Sequence, residues 1–314
     1  MKSLHVKLLK ETAKQLGLKF KSYDGENVLH EVSNGKKSFL IDRSATELTS
    51  RLGYILADNK HLTISALNKF DIPVPQQRMV KKYQDSLAFF KKNKPIVVKP
   101  NKCSLGKGVT VNVKTLEDLK KAFHYAKRYD SRVLVEEFIP GEDYRFTVID
   151  YKQVYVVKRI PAFVIGDGKH SILYLIKQKN KVKKSYKKDI KTNEKTIEIL
   201  KEKKLTLRSI PAKDEIVYLR KAANIAEGGT SIDFTDIASK PLKDLAIAAC
   251  RVLHLPVAGI DILTENINGD KGVIIEVNPR PHIILHHYPH EGESRYPARD
   301  IYNMLFGKKL KLRK

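Results

Sequence analysis

Only two cysteines, Cys103 and Cys250, occur in the 314 residues. Two thiols are too few for a disulfide framework or a four-thiolate zinc site. Long apolar runs are missing as well, and none approaches the ~20 residues that a membrane-spanning helix needs. The opening Met1-Lys-Ser-Leu-His-Val-Lys-Leu-Leu-Lys-Glu11 interrupts its apolar positions with charge. No secretory leader is read there, and a cytoplasmic location is expected. Acidic residues are in deficit: 35 Asp and Glu stand against 60 Lys and Arg, a formal net charge of +25. That excess draws anionic partners. Lys far outnumbers Arg, however, whereas planar bidentate recognition of phosphate and guanine is arginine chemistry. The densest basic stretch, 177–204, holds one aromatic, Tyr186, and so offers bases little stacking surface. It reads as a solvated lysine-rich insertion or as a patch that recruits an acidic substrate; nucleic-acid binding is the minor reading. A core is present: 42 % hydrophobic and 8 % aromatic residues rule out wholesale disorder.

The length fits about two domains or one multi-lobed one. Apolar spacing predicts a helix over 3–16 and short strands at 27–32 and 37–42. A helix over 60–70 is stopped by Asp71-Ile-Pro-Val-Pro75. Next come a helix over 83–92, the strand Pro95-Ile-Val-Val-Lys99, a strand over 109–113, a helix over 115–129 and a strand over 132–138. A hairpin pairs 144–149 with 154–158. Helices are expected over 170–180, 192–203, 239–254 and 297–306. Boundaries are placed near 58 and 160, giving segments 1–58, 59–160 and 161–314.

The sharpest chemistry lies near the C-terminus. Gly259-Ile-Asp-Ile-Leu-Thr264 and Gly272-Val-Ile-Ile-Glu-Val277 flank Asn268-Gly269, a two-residue hairpin signal. Centring the turn there sets Asp261 opposite Glu276, Ile260 opposite Val277, Ile262 opposite Ile275 and Leu263 opposite Ile274. Two acids facing each other repel across a sheet. Asn278 shares their face because strand side chains alternate. Two carboxylates and an amide oxygen form a hard-oxygen cluster suited to Mg²⁺, against the plainer reading of an exposed acidic pair on an edge strand. A second constellation is Val97-Val-Lys99-Pro-Asn-Lys-Cys-Ser104-Leu-Gly106-Lys107-Gly108. A lysine ending a buried strand reaches an anion, and glycines let loop N–H groups close around phosphates. An ordinary turn between strands looks the same, and neither a Walker A loop nor GxGxxG is complete. The third is Val135-Glu136-Glu137-Phe138-Ile139-Pro-Gly-Glu-Asp143, an apolar strand ending in acids that suit ribose hydroxyls or a solvated turn.

Taken in order, Asn59-Lys60 with Thr63, Val98-Lys99-Pro100, Gly106-Lys-Gly108, Glu136-Glu-Phe-Ile139 with Gly141 and Asp143, Asp261, and Glu276-Val-Asn278 make the chain resemble the ATP-grasp enzymes. Within that superfamily it resembles the ligase domains of cyanophycin synthetase and the bifunctional glutathione synthetases. The signatures are Arg159-Ile-Pro-Ala162, Gly166-Asp-Gly-Lys-His170, Val217-Tyr-Leu-Arg220, Asn224 with Gly228-Gly-Thr230, Ala258-Gly-Ile-Asp261, and His286 with Pro289, Glu291 and Gly292. The resemblance spans about residues 44–306 and implies an α/β fold of α+β lobes: two lobes clamping ATP (59–160 and 161–314) and a short N-terminal lobe (1–58). It implies ATP and Mg²⁺ (or Mn²⁺) as cofactors. Lys60 and Lys99 would hold the ATP phosphates, and the loop with Ser104, Gly106, Lys107 and Gly108 would cover them. Glu136, Glu137, Phe138 and Ile139 would read adenine, Asp143 the ribose, and Asp261, Glu276 and Asn278 the metal. The implied reaction makes an amide through an acyl phosphate, with amino-acid or peptide substrates, acidic ones included. A homo-oligomer is expected, with neither membrane nor nucleic acid as partner.

The departures carry information. Many ATP-grasp ligases have an arginine two positions before the metal-binding aspartate, where this chain has Gly259. Arg159 and Arg220, with Asn224, are the candidates for that catalytic duty, and Arg280 and His286 for substrate contact. The partner domains of the cyanophycin and glutathione enzymes are absent, so one kind of bond is expected. His282, His286 and His290 are spaced four apart, but Pro281 and Pro289 oppose the continuous helix that a zinc site would need. Cys103 reads as a buried small filler rather than as an oxidisable thiol of the loop.

Overall fold

The computed structural model describes residues 4–23, 29–103, 106–181, 189–220, 227–307 and 310. Two compact units divide the chain. The first runs to Val157 and resumes over Phe234–His287 and from Arg295; the second comprises Lys158–Asp233 and Tyr288–Ser294.

The first unit opens with α1 (Leu4–Gln15) and a meander of β1 (Lys19–Ser22), β2 (His30–Ser33), β3 (Ser38–Asp42) and β4 (Ala45–Thr46). Two short helices follow, α2 (Arg51–Ala57) and α3 (Lys60–Asn68). Asn59 starts α3 because its Oδ1 accepts from the Leu62 N–H at 3.1 Å, satisfying a first-turn donor that the helix itself cannot. Next come β5 (Gln77–Val80), α4 (Tyr83–Asn93), β6 (Ile96–Pro100), β7 (Thr110–Val113), α5 (Leu116–Lys127) and β8 (Val133–Glu137). These strands form an antiparallel sheet in the order β5-β8-β6-β7. Phe90, Leu119, Ala122, Phe123 and Ala126 of the two helices close one core with Ile96, Val98, Val133 and Val135. Burying each large apolar side chain there contributes about 1.5–3 kcal/mol.

A second sheet of the first unit is built on β9 (Glu142–Ile149), with β10 (Gln153–Ile160) continuing into the second unit. The second unit holds β11 (Phe163–Ile165), α6 (Ile172–Lys181), α7 (Glu194–Glu202), β12 (Ile216–Tyr218) and β13 (Thr230–Asp233). Back in the first unit lie α8 (Lys240–Val252), β14 (Val257–Thr264), β15 (Val273–Asn278), α9 (Ile284–His287) and α10 (Pro297–Phe306). Strand β14 is central, paired with β9 on one side and β15 on the other. It is buried on both faces, which explains its nearly continuous apolar sequence. Helix α8 packs Leu242, Ala246, Ala249 and Cys250 against Phe146, Val148, Ile260 and Ile262.

The expected Asp261–Glu276 and Ile260–Val277 pairs form, but Ile262 faces Ile274 and Leu263 faces Val273. A bulge follows Asp261, and the strands are joined by residues 265–272 rather than a two-residue turn. The Thr264 hydroxyl donates to Lys271 O at 2.7 Å, closing this longer loop. In the late-histidine stretch, where Pro281 and Pro289 oppose a continuous helix, the helical part is a single turn, α9, and no cluster of three metal-binding His, Cys, Asp or Glu occurs among the described residues.

Candidate active site

Register alone puts three charged side chains in a row. Arg145 on β9 lies directly opposite Asp261 on β14, which lies directly opposite Glu276 on β15. Asp261 is fully buried, and Arg145 grips it with Nε on Oδ1 and Nη2 on Oδ2, the latter at 2.9 Å. This forked pair neutralises the carboxylate that would otherwise repel Glu276. Glu276 is met from the other side by Lys60, whose Nζ lies 3.4 Å away. The next row on this face is Thr147, Gly259 and Asn278. A Cβ at Gly259 would stand 2.9 Å from Arg145 Cδ, 3.0 Å from its Nη1 and 3.0 Å from Pro281 Cβ. The missing side chain at 259 is therefore the space that Arg145 occupies. Gly259→Ala is expected to displace Arg145, costing about 1–3 kcal/mol of overpacking. Comparison of thermal melts with the parent checks this, and an unchanged melt would refute it.

Lys99 and Glu136 face the same cluster from the other sheet. Lys99, at the end of β6, is buried and sends Nζ to the Glu136 carboxylate at 2.8 Å. Burial pushes the Glu136 carboxyl up, outweighing the opposing pull of Lys99; Glu276 adds to the rise and Lys60 opposes it. Lys60 is the first residue of α3, and its Nζ also donates to Cys103 O at 2.7 Å. The first unit thus brings Lys60, Lys99, Glu136, Asp261, Glu276 and Asn278 into one unit, with Arg145 among them.

The donors fit a hard divalent ion. Asp261, Glu276 and Asn278 offer two carboxylates and an amide oxygen on one face, and the buried Asn278 Nδ2 has no protein partner. A hard cation completes such a partial oxygen set with phosphate and water.

A model of the D-Ala–D-Ala ligase C-terminus matches residues 66–210. The glutathione biosynthesis bifunctional protein of Listeria monocytogenes serotype 4b is 35 % identical over 295 residues, covering 90 % of this chain and 38 % of that protein. Its counterpart in Pasteurella multocida is 32 % identical over 323 residues, covering 97 % and 41 %. The crystal structure of a bifunctional glutathione synthetase from Pasteurella multocida superposes with a TM-score of 0.75 at 30 % identity, covering 98 % of this chain and 44 % of that one. The chain belongs to the ATP-grasp ligases. It spans about two fifths of the length of the curated relatives it matches. No helix among the described residues is long and apolar enough to cross a membrane.

Within this ATP-grasp ligase the remaining candidates are distributed unevenly. Gly106 and Gly108 adopt φ of +69° and +74°, and a Cβ at Gly108 would meet Tyr129 at 2.7 Å, so glycine is required at 108. Lys107 is exposed beside them. Glu137, Phe138 and Ile139 are half-buried after β8, with the Glu137 N–H already given to Gln76 O at 2.9 Å. Asp143 is half-buried on β9, opposite Leu263. His286 is fully buried and bonds Thr147 Oγ1 at 2.8 Å through Nε2, while its Nδ1 has no partner. Burial, then Arg145, pushes its pKa down to about 3. Arg280 is half-buried and pairs with Asp42, while Ser44 Oγ donates to Pro281 O at 2.6 Å. Ser104 and Asn224 lie outside the described residues.

Arg159 and Arg220 fall in the second unit. All five N–H donors of Arg220 are committed there. Nε goes to Glu227 and Nη1 to Thr196 Oγ1 and Leu219 O; Nη2 goes to Lys191 O and Asn193 Oδ1. A saturated guanidinium has nothing left for an oxyanion without breaking that network. The arginine beside the acids is Arg145, which residue patterns had not singled out. Its signal was Gly259 itself, whose vacancy had to be filled by a neighbour.

Proposed function

We propose that this chain catalyses ADP-forming amide ligation: ATP phosphorylates a bound carboxylate, and an amine displaces phosphate from the acyl phosphate. The observation that carries this reading is the Arg145–Asp261–Glu276 row in the same unit as Lys60 and Lys99. Lys60 and Lys99 bind the nucleotide phosphates, exchanging Glu276 and Glu136 for phosphate oxygens. Gly106, Lys107 and Gly108, with Ser104, cover them; Glu137 to Ile139 hold adenine and Asp143 the ribose. Asp261, Glu276 and Asn278 would hold Mg²⁺ or Mn²⁺, which supplies positive charge against the phosphate oxygens. Arg145 orients Asp261 and presents fixed positive charge beside the reacting carboxylate, the duty assigned from sequence to Arg159 or Arg220. Such preorganised charge contributes about 2.7–4 kcal/mol per donor to acyl-transfer transition states.

The relatives named for glutathione biosynthesis favour an amino acid or short peptide as acyl donor and an amino acid as amine. A peptide or isopeptide acceptor is the alternative, favoured by the net charge of +25, which attracts acidic chains.

The test is a panel of carboxylate and amine pairs assayed for phosphate release with ATP and Mg²⁺. Hydroxylamine added without the amine is expected to trap the acyl phosphate as a hydroxamate, with ADP as co-product. AMP and pyrophosphate, or a phosphorylated alcohol as stable product, would overturn the ligase reading. The pair that stimulates turnover separates a small-molecule from a peptide acceptor.

A further inference from the structure

The phosphate lysine Lys60 sits on the first turn of a nine-residue helix, and that turn is fastened to the nucleotide sheet by a side chain no motif singles out. Asn101 follows Lys99-Pro100 at the end of β6 and is fully buried. Its Oδ1 accepts from the His61 N–H at 3.1 Å. First-turn N–H groups have no partner inside a helix. In α3, Leu62 gives its N–H to Asn59 Oδ1 and Thr63 gives its own to Asn59 O, so that of His61 falls to Asn101. The other end of residue 61 is held as well: Gln77 Nε2 donates to His61 O at 3.1 Å. Gln77 stands on β5 directly opposite Glu136 on β8. The residue that follows the strand of Lys99, and the strand paired with that of Glu136, thereby clamp the residue next to Lys60.

The clamp fixes where the lysine stem begins. From that root Nζ reaches Cys103 O, two residues past Asn101, and Glu276 at 3.4 Å. A lysine side chain has about 2 kcal/mol of rotamer entropy to lose, so a fixed root leaves fewer arrangements to exclude when it engages a phosphate. Packing does not explain the amide, because Asn101 Nδ2 is buried without a partner and a buried orphan donor costs stability.

We infer that Asn101 is a positioning residue that holds Lys60 for the nucleotide phosphates. The inference rests on the proposed role of Lys60, and the experiment separates the two. Binding of a non-hydrolysable ATP analogue with Mg²⁺ is measured calorimetrically on the full chain for Lys60→Met, Asn101→Leu and the double variant. Asn101→Leu, of similar volume but without an acceptor, is expected to weaken binding by up to about tenfold, the scale of one lost hydrogen bond. Asn101→Asp, which keeps the acceptor, is expected to stay within about threefold, and Lys60→Met/Asn101→Leu to bind no more weakly than Lys60→Met alone, because coupled residues are non-additive. Asn101→Ala is run alongside, expected to match Asn101→Leu, and serves in the cycle where Asn101→Leu does not fold. Unchanged binding in Lys60→Met overturns the role of Lys60 itself. Weakened binding in Lys60→Met with unchanged or fully additive effects at 101 overturns only the positioning role.

Discussion

Glu276→Gln is expected to fold and melt like the parent while losing turnover by about 10²–10³-fold, the range seen when one preorganised electrostatic partner is removed. Its neighbour across the sheet should behave differently. The Glu276 side chain is 35 % exposed, and its cation, Lys60, keeps a second acceptor in Cys103 O, so the amide leaves Lys60 hydrogen-bonded. Asp261 is fully buried against Arg145, itself buried. Asp261→Asn removes the anion and leaves an uncompensated guanidinium, a change that costs about 3–5 kcal/mol when one partner of a buried pair is lost. Two acids facing each other at one register position are therefore expected to separate into an activity phenotype at 276 and a combined stability and activity phenotype at 261. Melting temperature and ATP turnover measured on both variants, with Mn²⁺ affinity as an independent readout of the donor set, decide the matter. Near-normal turnover in folded Glu276→Gln would remove the metal site from this row.

The two acids were legible in the sequence because strand alternation and the Asn268-Gly269 signal both act over a few residues. The register held at Asp261 and Glu276 and slipped one residue beyond, where the bulge after Asp261 absorbs the longer 265–272 loop. Thr264, which ties that loop together through its hydroxyl, carries no turn signature of its own. Lys60 and Lys99 were legible for the same local reason: one follows a capping Asn59, the other ends an apolar strand. Arg145 was not, because the charge on one strand of Glu142–Ile149 is meaningful only once β14 lies beside it, and that pairing joins residues more than a hundred positions apart. Arg220 looked available for catalysis because its motif gives no sign of Thr196, Lys191 and Asn193 closing over it from the region around α7. Asn101 was hidden similarly: its partner, the N–H of His61, belongs to a helix start that the sequence marks only by Asn59. Local chemistry was readable in each case, and what escaped were contacts set by tertiary pairing.

Mild acid is expected to destabilise this protein, and three buried histidines contribute about 6 kcal/mol to that loss between pH 7.5 and pH 5, as much as the whole stability of many domains. The cause is a set of buried neutral histidines around the C-terminal half of the site. Burial holds His5 down to about 3, helped by His282, Arg43, His287 and Arg280. His286 is likewise held to about 3, and burial alone holds His287 to about 4. His282 is lowered too, by burial and then Arg145. Folded values below the unfolded value of about 6.5 fix the sign. Above pH 6.5 both states are neutral and stability is unaffected; below it the unfolded chain binds protons that the native state refuses, so stability falls until the native values near 3–4 are reached. At pH 5 each of the three is about 1.5 pH units below its unfolded value, or about 2 kcal/mol, giving the total of about 6 kcal/mol. Glu136 runs the other way: its raised pKa makes the native state bind a proton more readily than the unfolded chain, so it offsets part of the histidines' uptake. Urea unfolding at pH 7.5 and 5.0, with proton uptake from calorimetry in buffers of different ionisation heat, measures both quantities. His5→Phe fits the edge contact with His282 and gives up no hydrogen bond at Nε2, which has no partner. That variant should shrink the pH difference by about 2 kcal/mol, one histidine's share. Equal stability at the two pH values, or the same pH dependence in His5→Phe, would show that these rings take up protons in the folded state.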